Sequence, residues 1–180
     1  VEALQILQRK KNRILLKLQY WPEQKWQFKN LLEGIIRQEK DNHVIEVQDL
    51  KCVTTATSNQ EKLEDIVYAT RIVKHLKSNA IAIVHHKQLI GMGCRQTSRV
   101  DALEQAIKKS HHFKFSARLP LSIMASEAFF PFPDCVEIAD KEGVRSIAQP
   151  GGSVKDQESI TYCEQHSVAM YLTGIRHFKH

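Results

Sequence analysis

The sequence predicts an α/β fold: a three-layer domain around a mixed sheet, preceded by a smaller lead-in of helix and strands. Two observations carry this. From residue 79 onward, short apolar runs and amphipathic stretches follow the order β-β-α-β-α-β-α-β, an alternation that buries a largely parallel sheet between helices. The chain has 180 residues, enough for one sizeable core. The lead-in takes residues 1–57 and the α/β domain residues 58–180.

Residues 1–11 bring Ala3, Leu4 and Leu7 together ahead of the basic run 9–13, which predicts a short helix. Residues 14–18 read as a strand. Residues 20–30 read as irregular and aromatic, with Trp21 and Trp26 placed to cover a sheet edge or anchor an interface. Residues 34–38 and 44–54 predict paired strands across the polar turn 39–42. Ser58 and Glu61 form an S-x-x-E capping box. Behind it Leu63, Ile66, Val67, Thr70 and Val73 line one face of a helix ending near Leu76. Residues 79–84 and 89–93 flank a polar turn as a hairpin.

Ser98 can cap a helix whose Val100, Leu103 and Ile107 face inward, and 111–118 form a basic loop. Residues 119–125 predict a buried strand. A helix over 135–142 follows, with Asp134 as its cap, Glu137 completing the pattern and Gly143 at C′. Residues 144–148 predict a strand, Ser153 caps the next helix with Asp156 three residues on, and 168–172 predict the last strand.

Composition narrows the class. No apolar run approaches a membrane span and no signal-peptide pattern opens the chain, so a cytoplasmic location and no membrane partner are expected. The first residue is Val1, which suggests a fragment. Cys52, Cys94, Cys135 and Cys163 are widely spaced, which fits reduced, buried thiols and no metal site. Lys and Arg number 26 against 20 Asp and Glu, a net +6. That excess suits a polyanionic small molecule or nucleic acid. The charges are scattered, without the aromatic-basic stripe of a nucleic-acid surface, so no nucleic-acid partner is expected.

The stretch 126–134, Ser-Glu-Ala-Phe-Phe-Pro-Phe-Pro-Asp, lies where a strand hands over to a helix. Ligands favour the crevice at the carboxyl ends of such strands. Its three phenylalanines are either core side chains on a tight turn or flat faces for a ring-shaped ligand. Pro150-Gly151-Gly152-Ser153 is either a plain helix-initiating loop or a loop whose N–H groups face an anionic or polar group. Arg99 occupies a helix's first turn, where its charge opposes the macrodipole, so it has an anionic or carbonyl partner or a surface ion pair. The ending Arg176-His177-Phe178-Lys179-His180 follows a buried-looking strand directly. It reads as a frayed basic end or as phosphate contacts with a proton carrier. The pairs His85-His86 and His111-His112 lack ligand spacing.

Several of these stretches together carry a resemblance: 74–80 (Lys-His-Leu-Lys-Ser-Asn-Ala), 96–101 (Gln-Thr-Ser-Arg-Val-Asp), Ser-Glu-Ala-Phe-Phe-Pro-Phe, Gln149-Pro150-Gly151-Gly152-Ser153 and the C-terminal ending. In order and spacing they resemble AICAR transformylase, the C-terminal activity of the bifunctional purine-biosynthesis enzyme that also carries IMP cyclohydrolase. The likeness is strong from about Glu61 to the end and legible back to residues 10–12. It implies a cytidine-deaminase-like repeat, whose element order matches. The H-x-E and C-x-x-C of zinc deaminases are absent, which excludes that chemistry.

The resemblance implies transfer of a formyl group from the co-substrate N10-formyltetrahydrofolate to the 5-amino group of AICAR, giving FAICAR. That amine is delocalised into its ring and carboxamide. The site must therefore orient it, take its proton and stabilise the oxyanion. Carried over by motif, Asn79, Arg99 and His180 stand near the chemistry: Asn79 on the carboxamide side, Arg99 near the developing charge. Phe129, Arg176 and Phe178 bind AICAR; Val100, Phe132, Asp134, Gly151 and Gly152 receive the folate.

Three positions depart from the pattern. Glu127 stands where Asp is usual, beside a monovalent-cation site of some members; Pro133 replaces a basic residue; Arg95 replaces a small one. The implied catalytic Lys-His pair belongs to a first repeat, with Lys74-His75 its counterpart here. The first repeat and the cyclohydrolase domain are therefore expected to be missing partners, and a homodimer is expected. The competing expectation is a non-catalytic nucleotide- or folate-binding module.

Overall fold

The computed structural model describes residues 2–10, 12–20 and 24–177. It divides into two compact units, 1–42 and 43–180, so residues 43–57, read as lead-in, belong with the α/β unit.

In the first unit, α1 (Glu2–Gln8) forms as expected. Residues 14–18 form no strand, and Ile14 and Leu16 are exposed. β1 (Trp26–Leu31) and β2 (Gly34–Glu39) make an antiparallel hairpin whose connection is Leu32-Glu33. The expected turn at 39–42 and the pairing of 34–38 with 44–54 are therefore wrong: the chain reverses at Leu32, which takes a positive φ of 49°. Trp26 lies in β1, where the Arg37 guanidinium sits 4.4 Å from its ring centroid. Trp21 lies outside the described residues.

The second unit is built on a six-stranded sheet. Its strands are β3 (Lys51–Cys52), β4 (Ile81–His85), β5 (Gln88–Gly93), β6 (Ile123–Ser126), β7 (Ser146–Gln149) and β8 (Ala169–Leu172), in the spatial order β3-β8-β7-β6-β4-β5. β6, β7 and β8 run parallel, whereas β3, β4 and β5 pair antiparallel. The sheet is mixed, and from residue 79 the element order is the one expected.

Period-two alternation assigns each strand's residues to two cores. On one face Ala82, Val84, Ile123, Ala125, Ala148 and Tyr171 pack with Ile66, Ala69 and Val73 of α2 (Gln60–Val73). On the other, Ile81, Ile83, Met124, Ile147 and Met170 meet α3 (Arg99–His112), α4 (Asp134–Lys141) and α5 (Asp156–Gln165). Helices thus cover both faces, giving three layers.

Several helix ends differ in detail. Asn59, not Ser58, caps α2 by accepting the Lys62 N–H at 2.9 Å. Ser58 instead bonds Ser146 and Tyr171. Ser98 caps α3 as expected. Residues 119–121 belong to a 3₁₀ turn (Ser116–Leu121), so β6 starts only at Ile123. Pro133 holds the cap position of α4 and Asp134 is its first residue, accepting the Cys135 N–H. Gly143, with φ +85°, closes α4: its N–H donates to Asp140 O and that of Val144 to Ala139 O, a Schellman ending. No described helix is long and apolar enough to cross a membrane.

Candidate functional site

The registers bring several strand ends together. Ile81 at the start of β4 faces Ser126 at the end of β6 and Gly93 at the end of β5, while β7 and β8 run parallel to β6. One end of the sheet thus gathers the carboxyl ends of β5–β8, the residues preceding β4 and the first turn of α3.

Arg99 is at its centre. It is 8% exposed and Glu127 is 0% exposed. Its Nη1 donates to Glu127 Oε2 at 2.6 Å and to Ser126 Oγ at 3.2 Å; its Nη2 donates to Asn79 Oδ1 at 3.0 Å. A cation in a helix's first turn is unfavourable against the macrodipole; a buried carboxylate at contact distance offsets that here. The anionic partner expected from the sequence is thus a residue of this chain. Arg99 Nε and Glu127 Oε1 have no hydrogen-bond partner among the described residues.

Asn79 is fully oriented. Its Nδ2 donates to the carbonyls of Gln96 and Thr97, both at 3.1 Å, leaving one lone pair of Oδ1 beside the bond from Arg99. The strand ends of β6 and β8 are tied by the His177 N–H, which donates to Glu127 O at 2.8 Å. Next to it the Arg176 guanidinium lies 5.7 Å from the Phe129 ring centroid.

The three rings divide between the two readings of their turn. Phe130 is fully buried and belongs to the core. Phe129 is half-buried, and Phe132 is exposed with Lys155 Nζ 4.5 Å from its ring centroid. Gly151 and Gly152 have φ of +75° and +98°. The N–H groups of Gly152 and Ser153 donate to Asp156 Oδ2 at 2.6 and 3.1 Å. An internal carboxylate therefore occupies the role that the sequence assigned to an anionic group. Ser153 is not the helix cap, since α5 begins at Asp156 after Lys155.

Asn79, Arg99, Phe129 and Arg176 thus collect along the same strand ends, with Val100 beside Arg99 and the Gly151-Gly152 loop leaving β7. Phe178 and His180 lie outside the described residues. Arg95 does not crowd this network: it is exposed in a turn with φ +58°. Cys135, beneath the phenylalanine turn, is no nucleophile, because burial pushes its thiol up to about 12. Among the described residues no three His, Cys, Asp or Glu side chains are grouped to hold a metal ion. Glu127, Gln149 and Asp156 organise this end of the sheet, although motif reading gave none of them that role; the available signal was a polar residue at or just after the ends of β6 and β7 and an acid at the first position of α5.

Comparison with known proteins is decisive for the family. The model of the AICARFT/IMPCHase bienzyme family matches residues 1–109. This chain belongs to that family. It is 53% identical over 180 residues to the bifunctional purine biosynthesis protein PurH of Bacteroides thetaiotaomicron, covering 100% of this chain and 35% of the relative. The PurH protein of Acetivibrio thermocellus is 44% identical over 182 residues, covering 99% of this chain and 34% of that protein. That of Aquifex aeolicus is 42% identical over 179 residues, with 99% and 34% covered. The chain spans about a third of the length of these relatives (35%, 34% and 34%).

Proposed function

We propose that this member of the bienzyme family is the second, zinc-free cytidine-deaminase-like repeat of a cytoplasmic AICAR formyltransferase in purine biosynthesis. The observation that carries the reading is the convergence of the Asn79–Arg99–Glu127 network and the Phe129–Arg176 pair at one end of the sheet. A planar imidazole stacks on the face of Phe129, and the Arg176 guanidinium, 5.7 Å from the same ring's centroid, adds cation–π attraction beside it.

Asn79 has only an acceptor position left, so it takes an N–H of the AICAR carboxamide and orients the ring. Orientation matters because the 5-amino group is a weak nucleophile that must meet the formyl carbon of N10-formyltetrahydrofolate in line. The carboxylate of Glu127 neutralises Arg99, which therefore serves chiefly to hold Asn79. Phe132, Asp134, Val100 and the Gly151-Gly152 loop form the folate side. Glu127, longer than the usual Asp, gives Oε2 to Arg99, and its Oε1 is unbonded among the described residues.

Proton transfer needs a Lys-His pair supplied by a first repeat, and a homodimer completes the site. The chain alone therefore binds AICAR and folate with little turnover. Calorimetry with AICAR and tetrahydrofolate, beside an assay of FAICAR formation, tests this. Saturable binding without turnover is expected; rapid FAICAR formation by these 180 residues would refute the need for the missing repeat. Absence of binding to either ligand would refute the site.

A further inference from the structure

Gln149 ends β7 with its side chain fully buried. Its amide oxygen accepts the Phe130 N–H at 2.7 Å, in the turn after β6. Its amide nitrogen donates to Asp156 Oδ1 at 3.3 Å, and Asp156 Oδ2 in turn holds the Gly152 and Ser153 N–H groups. Its main-chain carbonyl accepts the Thr173 N–H at 2.9 Å, just beyond β8. One residue thereby touches the segments that leave all three parallel strands.

The chemistry gives this arrangement a direction. A carboxylate only accepts, so Asp156 must face the NH₂ end of Gln149, which turns the amide oxygen onto Phe130. The Phe130–Gln149 bond is buried and the Gln149–Asp156 bond half-buried, and polar groups left unbonded there are costly, so shifting the turn against the loop means breaking a bond of this chain. Packing does not hold the tip of the loop: no atom lies within 4 Å of where a Cβ on Gly152 would be. The hydrogen bonds do.

We propose that the Gln149–Asp156 pair is a positioning unit that sets the gap between the phenylalanine turn and the glycine loop, and with it the width of the slot that receives a flat ring. This rests on the reading of that end of the sheet as the AICAR and folate site.

The test is an exchange of the two groups in the 180-residue chain. Asp156→Asn leaves an NH₂ group facing other donors, and Gln149→Glu sets two carboxylates against each other. The double substitution Gln149→Glu/Asp156→Asn restores the bond between the two side chains with donor and acceptor reversed, while the Phe130, Gly152 and Ser153 N–H groups still meet oxygens. Amide hydrogen exchange at Phe130, Gly152 and Ser153 reads the geometry, and calorimetry with AICAR and tetrahydrofolate reads the slot.

Each single substitution should lower protection and affinity by roughly tenfold, with the double returning to within about threefold of wild type. Unchanged protection in the singles, or a double no better than they are, overturns the proposal. So does altered exchange with wild-type affinity, the mark of a purely structural bond. If the singles fail to fold, a folded double with restored protection supports the pairing and an unfolded double overturns it. Should the wild type bind neither ligand, the site reading fails, while the exchange pattern still decides on the pair.

Discussion

Arg99 and Glu127 show how much rests on individual side chains. Both are almost wholly removed from water, and Arg99 links α3, β6 and Asn79, two residues before β4. Removing one partner of a buried pair leaves an uncompensated charge, at a cost of about 3–5 kcal/mol. Glu127→Gln should lose about 3 kcal/mol in denaturant titration, whereas Glu64→Gln, which breaks the exposed pair with Lys87, should leave the denaturation midpoint close to that of the wild type. Equal effects would mean that burial is not what gives the Arg99 pair its weight. Arg99 was conspicuous in the sequence because its charge opposes the helix dipole. Glu127 was conspicuous only as an unusual residue, since a partner 28 positions away leaves no local trace.

Elements are set by close approach as much as by propensity. α3 lies so tightly on β5 that a Cβ added at Gly93 would stand 1.8 Å from Ala102 O, and one at Gly91 2.3 Å from Ala106 O. Gly93→Ala should therefore push the helix off the strand and cost more than about 3 kcal/mol, read as a lowered denaturation midpoint or loss of soluble protein. Gly34→Ala, where the nearest atom is 3.6 Å away, should stay within about 1 kcal/mol. Similar losses at both would contradict the packing account. The helices were legible from their periodic apolar faces, and the cap of α3 from Ser98. The β1–β2 hairpin was not, because its turn residues, Leu32-Glu33, carry no turn signal while the polar run at 39–42 does. The strand expected at 14–18 shows the converse: an apolar run, here Ile-Leu-Leu-Lys-Leu, becomes a strand only where an edge is offered to it, and β-branched residues are scarce in this one.

At the scale of the molecule, the whole six-stranded sheet and both core clusters lie within residues 43–180. Deleting residues 1–42 should thus shift the thermal midpoint by less than about 4 °C, equivalent to under 1 kcal/mol. Loss of a cooperative transition would show that the sheet depends on the first unit. The alternation of strands and helices after residue 79, the two-sided burial and the motifs at strand ends were all written in local patterns of apolar and polar residues. Those patterns repeat every two or 3.6 positions and need no partner to be read. Which carboxylate neutralises Arg99, which ring enters the core and how Gln149 joins three loops depend on contacts between residues far apart in the chain. Strand register alone brings them together, and register is a property of the folded sheet.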